Sequence, residues 1–306
     1  MTIVAGYAPD ERGREAVHLA AMLARSAADD LVITSVVPAP WAPGMARIDA
    51  EYRDELDRHA DRALERARKA VPDDLPARYV RHSARSAPAG LLEQAEQHEA
   101  DLLVLGSSSA GVFGHVVLGS VTDRLVHSSP ITLAMAPRGF RVGSDARVTR
   151  VTAAYGGSSS AEQLVVAAAY IAAQVGATMR IASFAVWSRP DYTTTLGTDP
   201  EELVFEEWTN QVRAATRSAL AQVKDLQVAP SDVDVVVGGG QDWADAVEDI
   251  GWDDGDVLVV GSSELGPVAR VFLGSRATLI LRHSPVPVVV VPRWRAEELA
   301  ERAAKG

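Results

Sequence analysis

The sequence predicts an α/β protein built from two tandem, doubly wound, five-stranded parallel-sheet sandwiches. Three observations predict it. Short apolar and β-branched runs alternate with longer stretches whose apolar residues recur at helical spacing. The short runs are nearly all apolar, as strands covered on both faces are. The lettering of Val104 to Ser120, VLGSSSAGVFGHVVLGS, returns at Val259 to Ser275 as VVGSSELGPVARVFLGS.

The repeat reaches beyond those stretches. Asp101 matches Asp256, Ser129-Pro130 matches Ser284-Pro285, and Pro137-Arg138 matches Pro292-Arg293. Roughly fifteen of about forty aligned positions are identical without a gap, a period that means a duplicated domain and not a solenoid. A length of 306 residues suits two domains, and 47% hydrophobic residues supply two cores. The expected boundaries are 1–140, a linker at 141–147, 148–293, and a helical tail at 294–306.

In order, Thr2–Tyr7 reads as a strand closed by Gly-Tyr-Ala-Pro, and Asp10–Arg25 as a helix. Leu31–Val37 is a strand, Ile48–Val71 a long helix rich in Arg, Asp and Glu, and Ala77–His82 a third strand by alternation. Pro88–His98 is a helix with proline in its first turn. Asp101–Leu105 is the fourth strand, followed by the repeated loop, a helix from Gly119 to Ser128, and a fifth strand, Ile131–Ala136. The order then recurs: Val148–Tyr155, helix Ala161–Val175, Thr178–Val186, helix Glu201–Val223, Val233–Val237, helix Asp242–Ile250, Val257–Val260, helix Ser275–Arg282 and Val286–Val291. Gly238-Gly239-Gly240 reads as a flexible strand exit. Trp294–Lys305 is the terminal helix.

Composition excludes several classes. With no cysteine there is no disulfide, thiol catalysis or cysteine-held metal. The charge of −11 divides unevenly: 17 basic and 20 acidic side chains up to Arg147, then 13 and 21. An acidic surface repels phosphate backbones, so no nucleic-acid partner is expected. The longest apolar run, Leu164–Ala173, is too short to span a bilayer, so no membrane partner is expected. The opening MTIVAGYAPDERG does not read as a secretion signal, and the cytosol is the expected compartment.

In each repeat an apolar strand ends at a glycine, Gly106 or Gly261, and a small polar loop leads to Gly119-Ser120 or Gly274-Ser275 at a helix start. Helix starts carry unpaired N–H donors, so this joint suits an anion. Ligands of such folds sit beyond the carboxyl ends of the strands, which makes the loops after the first and fourth strands the expected walls. Ser107, Ser108, Ser109 and Ser120 are candidates to surround a phosphate; the alternative is that Gly106 and Gly119 serve only tight strand–loop–helix packing, with no ligand. The run Tyr155-Gly-Gly-Ser-Ser-Ser160 reads as a helix cap. His127 and His283 stand near the end of the helix after the repeated loop, where a cation suits the dipole. Trp187, Trp208, Trp243 and Trp252 fall in the second half and read as core packing, with a pocket wall as the alternative. No His/Asp spacing forms a metal ligand set, and no nucleophile–base pair can be named.

The glycine loop ending in Gly-Ser, then a helix and Ser-Pro before an apolar strand, resembles the universal stress protein family across nearly the whole chain, as two copies. The resemblance implies a cytosolic, Rossmann-like fold of the adenine nucleotide alpha hydrolase type. It also implies pairing through the fifth strands, here an intramolecular pseudo-dimer around Ile131–Ala136 and Val286–Val291, with a homodimer or another protein as further partner. One branch of that family binds ATP at G-x2-G-x9-G-(S/T). Carried over, this names Val36, Leu105, Gly106, Ser109, Gly119, Ser120 and Val121 in the first half, and Val260, Gly261, Gly274 and Ser275 in the second. The middle glycine is replaced by Ser109 and Glu264, and the nucleoside-holding aspartate by Ala8 and Gly156. If that glycine needs positive φ, Ser109 costs about 1 kcal/mol. Glu264 about 5 Å from a phosphate costs roughly 3 kcal/mol at an effective dielectric near 20. The expectation is a non-enzymatic stress-response protein binding ATP or another adenine nucleotide weakly, in the first half, without metal. The alternatives are a nucleotide-free scaffold and an ATP-hydrolysing enzyme.

Overall fold

The computed structural model describes residues 2–8, 13–39, 46–108, 112–187, 219–227, 229–262 and 273–305, with positions 210, 214, 216 and 271. The first half runs β1 (Thr2–Gly6), α1 (Arg14–Ala27), β2 (Asp30–Pro38), α2 (Ala46–Ala70), β3 (Ala77–Ala84), α3 (Ala87–Gln97), β4 (Leu102–Leu105), α4 (Ser120–Leu125) and β5 (Thr132–Met135). The second runs β6 (Arg150–Ala154), α5 (Ser159–Val175), β7 (Thr178–Val186), β8 (Val233–Gly240), α6 (Trp243–Glu248), β9 (Asp256–Gly261), α7 (Ser275–His283) and β10 (Val288–Val291), and α8 (Arg293–Lys305) closes the chain. Most of the helix expected at Glu201–Val223 lies outside the described residues; its end is helical at 219–224. The helix expected over Gly119–Ser128 stops at Leu125, because His127 and Ser128 donate to carbonyls only three residues back, tightening the last turn.

The ten strands form one sheet in the order β3-β2-β1-β4-β5-β10-β9-β6-β7-β8. Each half is parallel throughout, and the halves join by antiparallel pairing of β5 with β10, with Ala134 opposite Val289. Unpaired, Thr-Leu-Ala-Met and Val-Val-Val-Val would each leave an apolar sheet edge open, which proteins avoid. Fusion buries both edges.

The core divides differently from the expectation of one core per domain. Side chains alternate across a strand, so Ile3 and Ala5 enter one apolar cluster and Val4 the other. The first cluster, under α1, α2 and α5, includes Val104, Ala134, Val151 and Val289. The second, under α3, α4 and α7, includes Leu103, Leu133, Leu258 and Val290. Each core belongs to a face of the sheet and crosses from one half into the other. The apolar character of α5 follows from the same layering: one side packs on the sheet and α8 lies along it.

Further links cross the junction. Val271 N–H donates to the Ser129 carbonyl at 2.7 Å, and His115 Nδ1 to the His283 carbonyl at 3.3 Å. Trp294 Nε1 reaches the Pro130 carbonyl at 3.2 Å, and Arg295 pairs with Asp101 and, at 2.6 Å, with Glu298. The linker is docked along its length. Gly139 N–H donates to Glu15, Val148 N–H to the buried Ser26 hydroxyl, and Arg25 bonds both Asp74 and the Ser144 carbonyl. His18 of α1 is half-buried against Arg141 and Val142, and that burial, with Arg141 adding to it, holds its imidazole below the ordinary value of 6.5.

The three glycines expected as a strand exit are part of β8 itself and pair with Phe184, Ala185 and Val186. Their role is close approach of α6. A Cβ on Gly238 would stand 2.1 Å from the Ala246 carbonyl oxygen, and one on Gly240 2.3 Å from Asp245 Cβ.

Because both cores cross the junction, heat should unfold the chain in one transition with calorimetric and van't Hoff enthalpies equal; two resolved transitions would contradict the shared cores. Gly238→Ala should destabilise by about 1–3 kcal/mol in urea titration, since α6 must move away. The depressed folded value of His18 means the unfolded chain takes the proton first. Its contribution is whole above about pH 6.5 and is lost as pH falls toward the folded value. Between pH 7.5 and 5.5 the urea midpoint should therefore fall, and fall less in His18→Gln.

Candidate functional site

Two crevices open at the carboxyl ends of the strands, one per half, and they contain the residues that the repeated lettering singles out. The first, about 290 Å³, lies between the loops after β1 and β4. Val36, Leu105, Gly106, Gly119, Ser120 and Val121 all line it; Ser109 lies outside the described residues. The second, about 860 Å³, is lined by Val260, Gly261, Gly274 and Ser275, while Glu264 lies outside the described residues.

In the first crevice, Gly13 caps α1 at φ 117°, a left-handed conformation that glycine adopts without strain. Its Cα stands 3.4 Å from where a Cβ on Gly106 would be, so these two glycines let the β1 and β4 loops meet. Gly13 and Gly119 cap α1 and α4 without a side chain to accept from the first-turn N–H groups, and both line the crevice. Gly13 was not among the residues expected from sequence, because glycine is a weaker N-cap signal than Ser, Thr, Asp or Asn and more often marks a helix end.

Ser107 has a different task from the expected phosphate contact. Its hydroxyl donates to the Ala136 carbonyl at 2.6 Å and accepts from Val117 N–H at 2.9 Å. With Ser108 N–H donating to the Val117 carbonyl, this fastens the loop to the end of β5 and brings Gly119 beneath Ser108. Ala8, where the resemblance has an aspartate, lines the crevice with a methyl group.

The second crevice is built on the same plan with different walls. Tyr7 N–H donates to the Thr34 carbonyl and Tyr155 N–H to the Ala182 carbonyl, which sets the halves in register: Ala8 corresponds to Gly156 and Val36 to Phe184. Ser86 caps α3 and Asp242 caps α6, so Ala87 corresponds to Trp243. Ser158 caps α5 by accepting from Ala161 N–H, as the Gly-Gly-Ser-Ser-Ser run predicts. Trp243 packs against the core, as expected, and also lines the crevice, the alternative the sequence left open. Trp252 packs against the core and donates to the Val247 carbonyl at 2.7 Å, and Trp208 lies outside the described residues. Arg276 and Arg293 are the charged side chains of the described lining.

No carboxylate or imidazole lines either crevice among the described residues. Nor, among them, does any group of three or more His, Asp and Glu stand where it could hold a metal. His127 donates to the Asp123 carbonyl at 2.7 Å just beyond the end of α4, and His283 is the last residue of α7. No helix among the described residues is long and apolar enough to cross a membrane.

Comparison with known proteins agrees with the geometry. The universal stress protein family model matches residues 1–137 and again 147–292. A universal stress protein of Mycobacterium tuberculosis is 38% identical over 296 residues, 95% of this chain and all of the relative. The crystal structure of a universal stress protein from Archaeoglobus fulgidus is similar with a TM-score of 0.62 at 17% identity, over 95% of this chain and 98% of that one. A universal stress protein in complex with cAMP is similar over 44% of this chain and 96% of its own, at 23% identity and a TM-score of 0.33. Two copies of the fold in one sheet and two crevices at the repeated joint, together with the double match to the family model and the 38% identical relative, make the chain a tandem member of the universal stress protein family.

Proposed function

We propose that this chain is a non-catalytic regulatory protein of a cytosolic stress response, and that its first-half crevice binds an adenine nucleotide weakly. One observation carries the reading: the glycine-capped starts of α1 and α4 and the Gly106–Ser108 loop converge on one crevice that bears no charged side chain among its described residues. Two uncapped helix starts facing one space favour a phosphate. The methyl group of Ala8 in place of a carboxylate withholds one hydrogen bond from the nucleoside, so the affinity is low. Among its described residues the crevice carries no carboxylate or imidazole that could act as a base, which supports the non-catalytic reading. The cysteine-free sequence suits a reducing compartment.

Titration with a fluorescent ATP analogue should give saturable binding that Gly119→Glu abolishes. Ala8→Asp should tighten it about five- to tenfold by restoring one charged acceptor. Absence of saturation at millimolar nucleotide would favour a nucleotide-free scaffold. Magnesium-dependent hydrolysis lost in Ser120→Ala would replace the non-catalytic reading with an enzymatic one.

A further inference from the structure

The second-half crevice differs from the first by a coherent set of exchanges at matched positions. Val36 becomes Phe184, Ala87 becomes Trp243, Val121 becomes Arg276, and Ala8 becomes Gly156. Two flat aromatic surfaces and one cation are added. At the position where the resemblance has the nucleoside-holding aspartate there is no side chain, and a Cβ there would meet nothing within 4 Å. The space is about 860 Å³ against about 290 Å³, within the range of small-molecule sites. Leu164, Leu273 and Ile280, all at least nine-tenths buried, add an apolar floor.

The cations sit where the fold alone does not favour them. Arg276 is exposed in the first turn of the nine-residue α7, a turn with no acidic residue, where the helix dipole opposes a positive charge. Gly274 caps that helix without a side-chain acceptor. Arg293 also lines the crevice; its Nε is shielded from solvent without a hydrogen bond, and its ion pair with Glu297 is long, at 3.6 Å. Two guanidinium-bearing residues in the lining beside an uncapped helix start suit an anionic head, and aromatic walls suit an apolar body. The surrounding half carries eight more acidic than basic side chains, which disfavours a polyphosphate and favours a singly charged head.

We infer that the second-half crevice is a separate binding site for an apolar-bodied organic monoanion, such as a medium-chain or aromatic carboxylate, and not a second nucleotide site. The probe is anilinonaphthalene sulfonate, an aromatic monoanion that fluoresces in apolar surroundings, titrated into the full chain. One equivalent should bind saturably and be displaced by decanoate but not by ATP. Arg276→Glu reverses an exposed charge and should weaken binding by about tenfold or more. Gly156→Trp fills open space without backbone strain and should abolish binding, with the melting temperature unchanged. Gly119→Glu, in the other crevice, should leave the probe bound. The inference is overturned if no saturable binding occurs, if Arg276→Glu and Gly156→Trp both bind normally, or if ATP displaces the probe competitively.

Discussion

The antiparallel pairing of β5 with β10 is the interaction on which the rest of the molecule depends. Each half ends in an apolar strand that cannot be left as a free edge, and each supplies the other's missing neighbour. The pairing makes ten strands one sheet, and one sheet has two faces. The hydrophobic clusters follow the faces across the junction, so stability resides in the whole sheet and not in either half. The docked linker and α8, through Ser26–Val148 and Arg295–Asp101, hold the same junction from its flanks.

Parallel strands within each half and antiparallel pairing between halves also determine where the crevices lie. Strand carboxyl ends point one way in the first half and the opposite way in the second, so the crevices open on opposite edges of the sheet. α4 and α7 therefore run from their own crevice toward the edge that holds the other. Ser129, beyond α4, accepts from Val271 in the second half's loop, and His283, ending α7, accepts from His115 in the first half's loop. Each loop that walls a crevice is steadied by the far end of its counterpart's helix.

Much of this was legible in the letters. The period-two and helical patterns located the elements, and the recurrence of Gly106 and Gly119-Ser120 at Gly261 and Gly274-Ser275 located both crevices, because backbone joints are encoded locally. What escaped depends on tertiary approach. Gly238 and Gly240 read as a flexible exit because nothing in their own neighbourhood announces that α6 lies on them. Trp243 read as core and does pack there, but a tryptophan after a capping aspartate gives no hint that the first turn of α6 also walls a crevice. The hydroxyl of Ser107, expected at a ligand, is engaged by Ala136 and Val117, from the end of β5 and the same loop. The shared cores were hidden for the same reason: alternation marks two faces on a strand, not how far each face extends.

Joining the halves through a docked linker has a further consequence. An assembly of two identical subunits repeats every exchange of residue at both of its pockets, so neither can change without the other. Here a single polypeptide carries both, and Ala8 and Gly156, or Ala87 and Trp243, are separate letters. The pseudo-twofold frame stays intact through β5 and β10 while its two recesses are free to drift toward unlike chemistry.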